Sequence, residues 1–172
     1  MALLYAFDEY TDVEDEQVTQ YMGDILMDAL RNPDKVRPAG EVPLGEMAAS
    51  SVSSIPIMPP LLTSMPRFWR LAQKTSTKTA QNHFIEGMQD YCDGVVLQAK
   101  DRFNDTVRTF DEYWRIRRLD GACLPTFTLL ELEFDFPDEV YRHPSLERLR
   151  DLSLFAITLA NVSSMTLIFS TN

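Results

Sequence analysis

From Thr79 to Phe103 apolar side chains recur at Phe84, Met88, Tyr91, Val95, Ala99 and Phe103, with Cys92 and Val96 alongside. Steps of three and four residues place them on one stripe of a long amphipathic helix. The same period runs through much of the chain. Val18, Met22, Ile25 and Ala29 predict a helix over 15–31 that ends at Asn32-Pro33. Val107, Phe110, Tyr113 or Trp114, and Ile116 predict another over 106–118, broken by Asp120-Gly121. Residues 124–134 fit helix or strand on period alone, and their neighbours favour helix. Pro144 opens a last helix with Glu147 in its first turn. Residues 33–67 hold seven of the ten prolines and read as loop with short helical pieces. No alternating pattern competes, so the expected fold class is all-α.

The chain has 172 residues, enough for one domain with a real core, and 45% of them are hydrophobic. A net charge of −10 argues against nucleic acid and anionic membranes as partners. Cys92 and Cys123 form no spacing motif and fit core thiols in a reducing compartment. With only His83 and His143, most zinc sites and histidine-assisted nucleophiles drop out. The start Met-Ala-Leu-Leu-Tyr lacks a basic leader pattern, and a cytoplasmic location is expected. Residues 152–169 are long enough to span a bilayer, but Ser153, Thr158, Asn161, Ser163, Ser164 and Thr166 make a poor span. Their first half is expected to be a buried core helix.

Chemistry enters near the amino end, at Phe7-Asp8-Glu9-Tyr10-Thr11-Asp12. Asp8 and Asp12 lie one helical turn apart and project from the same face. Two carboxylates on an apolar wall repel each other and lose hydration, which a cation between them relieves. Oxygen donors without histidine point to Mg2+. The same spacing also fits a solvated helix face, which Glu14, Asp15 and Glu16 would extend.

Taken in order, these residues resemble class I terpene synthases, most closely the fungal (basidiomycete) sesquiterpene synthases. The acidic run is similar to that family's aspartate-rich motif. Phe84-Ile85-Glu86, Tyr91 and 95–102 are similar to a cavity-lining helix. Tyr113-Trp114-Arg115-Ile116-Arg117-Arg118-Leu119-Asp120-Gly121 resembles the arginine element and helix break, and Asn161 the opening of the second metal motif. The resemblance implies a partial class I helical bundle over 1–161, acting as a carbon–oxygen lyase on a prenyl diphosphate, with farnesyl diphosphate favoured. It implies Mg2+ held by Asp8, with Glu9 and Asp12 in second place or in supporting hydrogen bonds, and by Asn161 as the first ligand of the second metal site. Arg117 would be the catalytic diphosphate sensor, with Arg115 the alternative. Phe7 and Phe84 would contact substrate, and Tyr91 and Phe127 would shape the pocket, with plain core packing the alternative for each.

The departures are equally specific. After Asn161 the family continues Asp-x-x-Ser-x-x-x-Glu, whereas this chain reads Val162-Ser163-Ser164 and ends at Asn172. Residues 50–67 and 162–172 are expected to be non-family segments. Both mismatches contain Val-Ser-Ser, at Val52 and Val162, which intron donor codons can encode. A truncated or mis-spliced chain with little activity is therefore expected. The alternatives are a non-catalytic helical interaction module and a tail-anchored acidic protein.

Overall fold

The computed structural model describes residues 2–35 and 69–170, and all regular structure among them is helical. The helices are α1 (Ala2–Thr11), α2 (Glu16–Arg31), α3 (Lys78–Phe103), α4 (Phe110–Asp120), α5 (Cys123–Glu131), α6 (Asp138–Tyr141) and α7 (Pro144–Ser170). Residues 69–75 are also helical. The all-α expectation holds. The expected insertion at 50–67 lies outside the described residues.

Local chemistry sets the helix ends. Asp15 caps α2 by accepting from the Val18 N–H at 2.9 Å, and Thr77 caps α3 through the Ala80 N–H at 3.2 Å. α2 stops where Asn32 precedes Pro33, with the Asn32 N–H closing on Asp28 O. The reading of 106–118 needs a correction at its start. α4 begins at Phe110, because Thr109 and Glu112 form a reciprocal capping box there. The preceding loop is stapled by a two-pronged Arg108–Asp101 pair. Val107, expected on the apolar stripe, is 96% exposed.

α3 is the central element, packing against α2, α4 and α5. The main core joins Leu4, Phe7, Met22, Leu26, Leu30, Trp69, Phe84, Met88, Tyr91 and Val95. Trp69 and Phe84 pack with tilted rings, centroids 4.9 Å apart. Burying one such large side chain contributes about 1.5–3 kcal/mol. α3 and α4 touch through Gly94, where a Cβ would come within 2.5 Å of Leu119 Cβ and 2.6 Å of Asp120 N. Glycine therefore lets the two backbones approach.

His83 fastens the short α6 to α3. Its Nε2 lies 2.8 Å from Asp138 Oδ1, and its ring stacks on Tyr141 at 3.6 Å. α7 then runs past Asn161 to Ser170 without a break. Its first half is not the buried core helix expected. Leu154 and Thr158 are buried, whereas Leu149, Leu152, Phe155, Ile157 and Leu159 are exposed. No helix among the described residues is long and apolar enough to cross a membrane.

Candidate functional site

A cavity of about 290 Å³ opens where α1, α3, the α4–α5 joint and α7 meet. α1 supplies Leu4 and Asp8, α3 supplies Tyr91, and α4 supplies Arg117 and Asp120. The joint and α5 add Gly121, Ala122, Cys123, Thr126 and Phe127, and α7 adds Ile157 and Asn161. One end is thus acidic and basic together, and the walls are largely apolar. Such a shape suits an amphiphile whose polar head meets carboxylates and a guanidinium together.

The polar end is tightly coupled. Asp8 is half-buried, and burial raises its pKa, reinforced by Asp12 and opposed by Arg117 and Arg102. Burial pushes Asp120 up to about 6 against the ion pair and hydrogen bond that Arg117 provides. Arg117 Nη1 donates to Asp120 Oδ1 at 3.1 Å. Tyr91 donates its hydroxyl hydrogen to Leu4 O at 3.2 Å, and burial, then the nearby Asp8 carboxylate, raises its pKa. At the joint, Ala122 adopts a left-handed backbone (φ 55°), an unusual state for a residue with a Cβ. Thr126 Oγ1 donates to Ala122 O at 2.8 Å and braces the turn.

Asp8, Arg117 and Asn161 are far apart in sequence and line the same cavity, as do Tyr91 and Phe127. The other expected residues do not reach it. Glu9 and Asp12 are exposed, and Asp12 Oδ1 lies 3.7 Å from Arg102 Nη1. Phe7 is 2% exposed in the core, its ring 5.9 Å from Tyr91, and Phe84 packs on Trp69. Both aromatics act as packing rather than cavity wall. Arg115 lines a separate groove beside Arg118, Arg142 and Arg150. Among the lining residues absent from the sequence-based site are Asp120, Cys123 and Ile157. The Arg117-x-x-Asp120 spacing was the available signal for the first.

Among the described residues, no three His, Cys, Asp or Glu side chains are arranged to hold a metal by themselves. The donors facing the cavity are nevertheless hard oxygens, from Asp8 and Asn161. Mg2+ characteristically takes one or two carboxylates and completes its shell with substrate phosphates and water. A cation beside Asp8 would also stabilise the ionised carboxylate that burial disfavours. The donor set fits such an ion.

The arrangement has relatives among solved structures. A variant of the reconstructed ancestral protein SVS_A2 superposes with TM-score 0.74 at 18% identity, covering 92% of this chain and 43% of that one. A second SVS_A2 variant gives 0.73 at 19% identity over the same shares. The fold is part of the all-α class I terpenoid synthase bundle. The family described as "Terpene synthase family 2, C-terminal metal binding" matches residues 1–161, and the chain belongs to the terpene synthase family. It is 37% identical over 161 residues to a Delta(6)-protoilludene synthase of Armillaria ostoyae, covering 94% of this chain and 42% of that protein. It is 38% identical over 163 residues to sesquiterpene synthase Agr9 of Cyclocybe aegerita, covering 39% of that protein. A Delta(6)-protoilludene synthase of Postia placenta is 40% identical over 156 residues, with 39% of it covered. The chain therefore spans about two fifths of the length of these relatives.

Proposed function

We propose that residues 1–161 form the diphosphate-binding part of a sesquiterpene synthase site, taking a prenyl diphosphate, with farnesyl diphosphate favoured. The observation that carries this reading is the convergence of Asp8, Arg117 and Asn161 on one cavity from three helices. Asp8 and Asn161 are the residues to hold Mg2+, which would act as a Lewis acid on the departing diphosphate. Arg117 offers a charge-assisted hydrogen bond to the diphosphate oxygens, and Asp120 fixes the guanidinium from behind. As charge builds on the leaving group, this fixed cation stabilises it without reorganising. Leu4, Tyr91, Phe127 and Ile157 present apolar surface to the hydrocarbon chain. The rings of Tyr91 and Phe127 add π density for an allylic cation.

The chain matches only about two fifths of its relatives, so weak turnover accompanies this binding site in the 172-residue form. Isothermal titration with inorganic diphosphate, with and without Mg2+, tests the reading. Magnesium-dependent binding that Asp8→Asn abolishes supports it, and binding indifferent to both magnesium and Asp8 overturns it. The exposed Leu149, Leu152 and Leu159 on α7 favour a second reading, a helical interaction module without catalysis. That reading expects no magnesium-dependent diphosphate binding.

A further inference from the structure

α1 is tied to α3 by side-chain hydrogen bonds at two points that bracket Asp8. Near its start, the Tyr91 hydroxyl donates to Leu4 O at 3.2 Å. In an α-helix that carbonyl is also the partner of the Asp8 N–H. At its end, Arg102 Nη2 donates to Thr11 O at 2.7 Å and to Glu14 O at 3.1 Å. These carbonyls lie at and beyond the helix terminus, where i+4 helical donors run out, and Thr11 O also accepts from the Glu14 N–H at 3.3 Å in the turn that follows. Arg102 Nη1 also lies 3.7 Å from Asp12 Oδ1, drawing that carboxylate to the outside of the bundle. Asp8 sits four residues after one tie and three before the other.

We propose that Arg102 is a positioning residue for Asp8: its guanidinium closes the carboxyl end of α1 so that Asp8 stays aimed into the cavity. Arg102 does not line that cavity and reaches α1 through the backbone at its carboxyl end and through Asp12. The role rests on the reading above, in which Asp8 receives a divalent cation carrying a diphosphate. The planar fork of arginine reaches two carbonyls and a carboxylate at once. A lysine keeps the charge without that geometry.

The test compares the 172-residue chain with R102Q and R102K by amide hydrogen exchange and by Mn2+-dependent titration with inorganic diphosphate. R102Q is expected to speed exchange at the amides of residues 8–14 about tenfold, leaving α2 at wild-type protection as an internal check on folding. Diphosphate binding is expected to weaken about tenfold, as for other residues that orient a ligating side chain. R102K should recover only part of either effect. Wild-type exchange of residues 8–14 in R102Q overturns the clamp, as does full recovery in R102K, which would reduce the residue to a neutralising charge. A wild-type chain that binds no diphosphate with Mn2+ sinks the proposed function instead, and the exchange measurement still decides the clamp.

Discussion

Arg117 Nη1 stands 3.1 Å from the buried carboxylate of Asp120, three residues on along α4, and both line the cavity that Asp8 enters from α1. Helical spacing alone brings an i,i+3 pair together. The tertiary setting changes its character: Asp120 is 6% exposed, because Gly94 lets α3 press on its backbone. A carboxylate there keeps its charge only with the guanidinium beside it.

Asp120 should titrate near pH 6 in the folded chain, against 3.8 for an unperturbed aspartate. The folded state then binds the proton more tightly than the unfolded state does. The associated stability is fully present below about pH 4 and is lost as pH rises through about 6, an effect of about 3 kcal/mol. Arg117→Met removes the influences that lower the value, so the Asp120 pKa should climb further. Carboxyl carbon NMR across pH 3–9 measures both values, and a fall in the variant contradicts the pairing.

Asp8→Asn and Asp12→Asn should part company, although the two acids sit one turn apart. Asp8 faces the cavity, whereas Asp12 is exposed beside Arg102. The first change should weaken Mg2+-dependent diphosphate binding by more than about tenfold, and the second by clearly less, because Asp12 does not face the cavity. Calorimetric titration separates them, and equal losses would return Asp12 to the ligand set.

Gly94→Ala should destabilise the fold by about 1–3 kcal/mol. The new Cβ meets Leu119 Cβ at 2.5 Å and backbone atoms at 2.6 and 2.9 Å, none of which is a flexible side-chain tip. Urea unfolding reads the loss. An unchanged midpoint would mean that α3 and α4 separate at little cost.

Thr109→Ala should cost about 1 kcal/mol, the usual value of a capping hydroxyl. It removes the acceptor for the Glu112 N–H and the hydroxyl that donates to the Glu112 carboxylate at the start of α4, and leaves the Thr109 N–H donating to that carboxylate. Circular dichroism during thermal unfolding checks the size. Thr109→Ser should restore most of it.

Leu152→Glu with Leu159→Glu should reduce self-association. Both side chains are at least half exposed, two turns apart on α7, in a stripe that includes Leu149. Light scattering against concentration should flatten in the double variant, with helicity retained. Unaltered scattering would place the sticky surface elsewhere.

The all-α class and the positions of α2, α3 and α7 were legible along the chain, as were Asp8, Arg117 and Asn161 as candidates, which the fold brings to one cavity. Period, capping residues and breakers such as Asn32-Pro33 and Asp120-Gly121 act over a few residues, and a linear string displays them. What each apolar stripe faces was not legible. Phe7 and Phe84 carry the composition of a cavity wall, yet neighbouring helices enclose them in the core. Leu152 and Leu159 carry the composition of a core, yet they are exposed. Only the packing of α3 against three helices decided which guanidinium joins Asp8, because Arg115 and Arg117 are nearly equivalent by count and open onto separate clefts. Hydrophobic period sets helix type locally, whereas burial and the pKa of Asp120 depend on contacts between residues distant in sequence.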